Sequence, residues 1–227
     1  MLTLVPTPIY SEGLLDPKTL EKLKSAQDTS ALFVFEDQRP ARRRWLKWGL
    51  DRSVIDRFEY LNEHNVLEQT EVLHQFLKQG RDVYLFSDAG LPAFCDPGQV
   101  LVRRCHESKI EVSATDFSNS VALALAMSGF DHSEFYFAGF LARSKEERKS
   151  KITSLFNQTK ETFIFMDTSY RLKTIMEELR LLSCQRKIFC AMDLNKETQE
   201  YYWGSISKFK LPVEKKEFVM VVESKSE

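Results

Sequence analysis

The chain has 227 residues, enough for one large domain or two small ones. Hydrophobic residues make up 43% and charged residues 29%, a globular balance that excludes a disordered chain. A formal net charge of −1 excludes binding to nucleic acid through bulk positive charge and leaves room for a local basic patch.

Residues 1–8 carry no basic n-region and no long apolar run, which predicts no signal peptide. Residues 2–5 read as a strand that stops at Pro6-Thr7-Pro8. Asp16-Pro17 is a helix start, a capping carboxylate followed by proline at the first helical position. Residues 31–35 form a continuous apolar run, the pattern of a strand buried on both faces, and Glu36-Asp37 follows directly. Residues 39–48 and 68–79 read as helices, the second with Val72, Leu73, Phe76 and Leu77 on one face and Gly80 as its stop. Residues 83–87 are the next strand, followed by Asp88-Ala89-Gly90-Leu91-Pro92. Pro97-Gly98 opens a helix, with Asp96 as its cap, and residues 110–113 are a short strand. In the second half, residues 118–127, 144–156 and 169–182 read as helices; 135–138, 162–166, 187–192 and 218–223 read as strands. No stretch approaches the roughly 20 apolar residues that span a bilayer.

This alternation predicts an α/β fold of two small domains with mostly parallel sheets, 1–115 and 116–227. In parallel sheets, ligands bind beyond the carboxyl ends of strands. The polar or glycine-containing segments lie at those ends: Pro6 to Pro8, Glu36-Asp37 and Ser87 to Pro92. No G-x-G-x-x-G follows the first strand, and no phosphate-binding G-x-x-x-x-G-K-[ST] loop, H-E-x-x-H or G-x-S-x-G occurs. A cofactor without phosphates fits this pattern best. The cysteines, Cys95, Cys105, Cys184 and Cys190, form no C-x-x-C pair or zinc spacing and read as reduced, packed side chains, with no metal site.

Several candidate residues carry two readings. Glu36 and Asp37 end a strand and suit catalysis, while Asp37 also suits a helix cap. His64, between Glu63 and Asn65, suits a base near neutral pH or an ordinary loop histidine. Asp88 suits a cofactor site or a turn that bonds its own backbone. Arg39, Arg42, Arg43 and Arg44, around Trp45 and Trp48, suit RNA contact or a solvated helix face over core tryptophans. Arg171 suits a phosphate or carboxylate partner or an ion pair at a helix start. His74, His106 and His132 read as surface residues.

In order along nearly the whole chain, the sequence resembles the tetrapyrrole methylase superfamily, and most closely the family of the small-subunit ribosomal RNA (cytidine-2′-O) methyltransferase I. The resemblance runs through Leu4-Val5-Pro6-Thr7-Pro8-Ile9, Glu36-Asp37-Gln38-Arg39, Glu63-His64-Asn65 and Ser87-Asp88-Ala89-Gly90-Leu91-Pro92 with Asp96-Pro97-Gly98. It continues through Ser128-Gly129-Phe130, Gly139-Phe140-Leu141, Glu147-Arg148 and Asp167-Thr168-Ser169-Tyr170-Arg171. It implies a cytoplasmic, homodimeric methyltransferase with S-adenosylmethionine in a cleft between two α/β domains and ribosomal RNA or the small subunit as partner. The first domain would hold the substrate side and part of the cleft; the second would hold the cofactor side and dimer contacts. By the same resemblance Pro8, Asp88, Ala89, Gly90, Ser118, Asn119, Ser120, Asp167 and Arg171 are cofactor-binding positions. The chain departs from the family at Tyr10, where the P-I-G-N loop has glycine, at Phe117-Ser118-Asn119-Ser120 against G-P-[SC]-[SA], and at Asp167 and Ser169. Three functions stay open: 2′-O-methylation of ribosomal RNA, methylation of a tetrapyrrole or other small molecule, and a degenerate cofactor- or RNA-binding module.

Overall fold

A computed structural model of the chain describes residues 1–182 and 185–225, so Cys184 lies outside the described residues. The chain divides into two compact units, Met1–Ser118 and Asn119–Glu227.

In the first unit, β1 (Leu2–Val5), β2 (Leu32–Phe35), β3 (Phe58–Tyr60), β4 (Val83–Phe86) and β5 (Val112–Ala114) form a sheet ordered β3-β2-β4-β1-β5. All of its ladders are parallel. β1, β2 and β4 are buried at every position, which is why they read as unbroken apolar runs. The helices α1 (Pro17–Gln27), α2 (Gln38–Lys47), α3 (Val66–Lys78) and α4 (Gln99–Glu107) alternate with these strands. Asp16 caps α1 by accepting the Thr19 N–H at 2.9 Å, with Pro17 in the first turn as its sequence predicts.

Helix α2 fixes the core of this unit. Ala41, Trp45 and Trp48 share its buried side. The Trp45 ring meets Phe33, Phe58 and Phe35 with centroids 4.8, 5.1 and 6.2 Å away. These edge-to-face contacts add to the area buried. The Trp45 indole N–H also donates to the Asp51 carbonyl at 2.8 Å, so its polar atom is satisfied in the interior.

The second unit contains α5 (Ser120–Ser128), β6 (Phe135–Phe140), α6 (Lys145–Gln158), β7 (Thr162–Asp167), α7 (Leu172–Arg180), β8 (Lys187–Met192), β9 (Glu200–Ser205) and β10 (Phe218–Val222). Its sheet is ordered β6-β7-β10-β8-β9. Parallel pairing is confined to β6 with β7, and the remaining ladders are antiparallel. The α/β architecture therefore holds, with the parallel sheet complete in the first unit and a mixed sheet in the second. The reason is connectivity. No described α-helix lies between β8 and β10. Strands joined by turns pair antiparallel, whereas parallel neighbours need a crossover. The edge strand β9 and the three-residue β3 are absent from the sequence-level reading, as neither shows a clean apolar run or alternation. Asn119 caps α5 by accepting the N–H groups of Val121 and Ala122, and Gly129 ends it at φ +65°.

Three expectations are corrected. His74 and His132 are buried rather than on the surface; His74 Nε2 lies 2.9 Å from the Ser108 hydroxyl. Cys95 is exposed, unlike the buried Cys105 and Cys190. Burial pushes the Cys105 thiol up to about 12, away from thiolate chemistry. No described helix is long and apolar enough to cross a membrane.

Trp45→Ala removes the ring on which Phe33, Phe35 and Phe58 pack. It destabilises the first unit by about 3–5 kcal/mol, the usual cost of emptying a buried aromatic site. Urea denaturation of the purified variant against wild type measures this; an unchanged midpoint would contradict the packing of Trp45 in the core.

Candidate functional site

Because every ladder of the first sheet is parallel, its carboxyl ends gather on one edge. β1 and β4 are neighbours, and the segments that leave them are knitted together. The Thr7 N–H donates to the Gly90 carbonyl at 2.8 Å, and the Gly90 N–H returns to the Thr7 carbonyl at 3.0 Å. The Thr7 hydroxyl donates to the Ser87 carbonyl at 2.9 Å, and the Ser87 hydroxyl to the Gly90 carbonyl at 3.0 Å. Gly90 sits at φ +95°, and no atom lies within 4 Å of the position a Cβ would take. Glycine thus permits the left-handed turn and leaves space beside the backbone.

Two carboxylates latch the ends of β2 and β4. Glu36 Oε1 accepts the Asp88 N–H at 3.0 Å. The Asp37 N–H, near the Asp88 carboxylate, favours its ionised form. Burial raises the Glu36 carboxyl to about 7, with Asp96 and Asp88 adding repulsion that the Asp88 N–H partly offsets. Burial also raises Asp88, as does the Asp37 charge, against the opposing Asp37 N–H and the Arg44 cation. Asp96 is raised to about 6 by burial and then by Asp88. Glu36 and Asp96 therefore exchange a proton closer to neutral pH than an ordinary carboxyl group does.

Asp96 is not the helix cap its sequence suggests. α4 starts at Gln99 after Gly98, at φ +126°, with no side-chain cap. Ala93 and Cys95, both at φ +60°, bend the preceding segment. Side chains with a Cβ adopt that region only when their surroundings enforce it. The bend leaves Asp96 half-buried and coupled to Asp88.

The other candidates separate. The Asp37 side chain caps α2 by accepting the Arg39 N–H at 2.8 Å. His64 is 85% exposed, 3.5 Å from Glu63; among the described residues no hydrogen bond joins it to Glu36 or Asp88. Arg39, Arg42 and Arg43 are exposed. Arg44 is not: it is 4% exposed, and its Nη1 donates to the Pro8 carbonyl at 3.0 Å. This corrects its place among the RNA-facing arginines. The signal was present, since Ala41, Arg44, Trp45 and Trp48 repeat at three- and four-residue spacing and so share one helix face. The tryptophans are buried with it and unavailable for base stacking. Tyr10, in place of a glycine, is 70% exposed, so its ring does not fill the edge.

Within the second unit, a cavity of about 450 Å³ is lined by Ser120, Phe140, Asp167, Tyr170 and Asp193 among others. That volume lies in the range of small-molecule sites, roughly 300–1,000 Å³. Asp167 ends β7 with a fully buried side chain. Its Oδ1 accepts the Thr168 N–H at 2.6 Å and pairs with Arg171 at 2.6 Å, while Oδ2 is buried without a hydrogen-bond partner. Arg171 also donates to the carbonyls of Ala142 and Leu141, so its guanidinium forms the plainer of its two expected arrangements, an ion pair at a helix start. Asn119 is likewise engaged in capping α5, and Ser118 is exposed. Among the described residues no cluster of histidine, cysteine and carboxylate groups suits a metal ion.

The sequence profile of the Tetrapyrrole (Corrin/Porphyrin) Methylases matches residues 1–210. The ribosomal RNA small subunit methyltransferase I of Mesomycoplasma conjunctivae is 32% identical over 227 residues, covering 99% of this chain and 91% of that protein. Its counterpart in Thermotoga maritima is 30% identical over 215 residues, covering 95% and 92%. That in Bacillus subtilis is 30% identical over 208 residues, covering 92% and 68%. The chain belongs to the tetrapyrrole methylase family, and within it to the branch of the ribosomal RNA small subunit methyltransferase I proteins.

Proposed function

We propose that this methyltransferase uses S-adenosylmethionine to methylate a ribose 2′-hydroxyl of small-subunit ribosomal RNA, as a cytoplasmic homodimer. The observation that carries the reading is the carboxyl group of Glu36, held to about 7 at the shared edge of a parallel sheet, beside the glycine turn. Names of relatives supply the ribosomal RNA; the chemistry of the edge supplies a reason for a hydroxyl acceptor.

The residues fit the donor on two grounds. In the first unit, the space beside Gly90 admits close approach of a ligand to the Asp88-Ala89-Gly90 turn and to Pro8. In the second unit, Asp167 is among the residues lining a cavity of suitable volume, and its Oδ2 is a buried acceptor without a partner. Ser120 lines the same cavity. The donor supplies an electrophilic methyl group on a positively charged sulfur.

The chain's own residues supply alignment and a proton acceptor. Glu36 takes the hydroxyl proton as the oxygen attacks. Burial, with Asp96 and Asp88 adding repulsion, keeps its proton affinity high enough for that transfer. Asp37 holds the start of α2 through its side chain. His64, exposed beside Glu63, serves the rim of the site rather than the proton transfer. Arg39, Arg42 and Arg43 meet RNA phosphates; the adjacent tryptophans contribute packing alone.

Calorimetric titration with S-adenosylmethionine, followed by methyl transfer to naked ribosomal RNA and to small subunits, tests the reading. Heat of binding and a 2′-O-methylated nucleotide are the expected results; absence of binding would leave a degenerate module, and methylation of a small molecule alone would move the acceptor. The activity rises with pH through about 7, because Glu36 must be ionised to accept a proton. Glu36→Gln lowers kcat by about 10²–10⁴ and removes that acidic limb, measured as a pH–rate profile. An unchanged profile would remove Glu36 from the role. Replacing Arg39, Arg42 and Arg43 together with Ala reduces the slope of log affinity against log salt by about 0.7 for each phosphate of single-stranded RNA no longer neutralised. A slope equal to that of wild type would exclude this face.

A further inference from the structure

The loop that leaves β1 is pinned from one side by a single helix. Arg44 Nη1 donates to the Pro8 carbonyl at 3.0 Å, and the Trp48 indole N–H donates to the Gly13 carbonyl at 3.3 Å. Lys47 pairs with Glu12. Between these anchors the loop closes on itself: the Gly13 N–H donates to the Tyr10 carbonyl at 2.8 Å, and Gly13 lies so close to the Pro8 ring that a Cβ there would sit 2.4 Å from Pro8 Cβ. Positions 44, 47 and 48 lie three and four apart, so one end of α2 reaches all three points.

Arg44 is an unusual choice for the buried face of a helix otherwise lined by Ala41, Trp45 and Trp48. Its Nε is sealed from solvent without a partner, so the guanidinium is not offered to a polyanion outside. A buried cation is destabilising unless its partners compensate. Its partners are the Pro8 carbonyl and the attraction of Asp88, and both belong to the edge that carries the glycine turn.

We propose that Arg44 is a positioning residue for methyl transfer: it fixes the loop from Pro8 to Gly13 against the Asp88 turn, so that the donor meets a preformed edge. This rests on the reading of the Pro8 and Asp88 segments as donor-binding. It separates α2 into two faces with different duties. Arg39, Arg42 and Arg43 meet solvent and RNA, while Arg44 and Trp48 hold the loop. Arg44 needs no contact with the donor to act, since the Pro8 carbonyl and the Asp88 charge transmit its effect.

The test compares Arg44→Met, Arg44→Lys, Trp48→Phe and Asp88→Asn by calorimetric titration with S-adenosylhomocysteine, steady-state kinetics and thermal denaturation. Arg44→Met raises the Kd and the donor KM at least tenfold, with an unfolding temperature equal to or above that of wild type. Arg44→Lys, which keeps one donor and the charge, restores part of the affinity. The salt dependence of RNA binding does not change in either variant, unlike that of the exposed-arginine variant. Wild-type donor affinity in Arg44→Met, while Asp88→Asn binds weakly, overturns the positioning role. Wild-type affinity in both overturns the donor-site reading beneath it. Should Arg44→Met fail to fold, Trp48→Phe decides the matter, because it removes one loop anchor and keeps an aromatic ring: weakened donor binding supports the proposal, and unchanged binding overturns it.

Discussion

Glu36 and Asp88 each leave a parallel strand at the same edge, and the Glu36 carboxylate accepts the Asp88 N–H. That latch fixes the separation of the β2 and β4 ends and keeps two carboxyl groups near each other, half out of water. The chemistry proposed for the edge follows from this arrangement. Burial and mutual repulsion disfavour ionisation, while the donated N–H groups favour it. For Glu36 the balance falls at about 7, and for Asp96 at about 6. A carboxyl group in water would have no proton to exchange at neutral pH.

The latch depends on the sheet order beneath it. β4 lies between β2 and β1, so the segments after β1, β2 and β4 emerge side by side. Thr7 and Gly90 tie the β1 and β4 exits by paired backbone bonds, and Arg44 and Trp48 tie the β1 loop to α2. α2 is itself seated by Trp45 among Phe33, Phe35 and Phe58. The polar edge is therefore held by an aromatic core below it. The aromatic seat lies on the same helix as the sealed cation at Arg44, which is destabilising alone.

The second unit solves a related problem with different pairing. Its strands are mostly antiparallel, and its cavity is bounded by the end of β7 and the segments around β8 and β10. Asp167 is held by Arg171 and the Thr168 N–H through one oxygen, which leaves the other oxygen unpaired in a closed setting. The Asp167–Arg171 pair orients the carboxylate. The Asp167 charge is thus partly neutralised by Arg171.

The sequence by itself determined the alternation of strands and helices, the buried runs of β1, β2 and β4, the Asp16 cap and the family, and it left Asp37 between a cap and catalysis. These rest on local periods of two and 3.6 residues, on capping chemistry and on ordered motifs, all of which are written between near neighbours in the chain. Helical spacing also placed Trp45 and Trp48 in the core, and the same spacing applied to Arg44 would have buried it. Tertiary structure alone decided that Asp96 joins Asp88 rather than capping α4, that His64 stays in solvent, that Cys95 is exposed, and that the second sheet is mixed. It also decided the proton affinity of Glu36. These properties depend on which distant segments become neighbours: residue 36 meets residue 88, and residue 8 meets residue 44. No local pattern encodes such separations, because strand order sets them and burial then fixes the charge each group can carry.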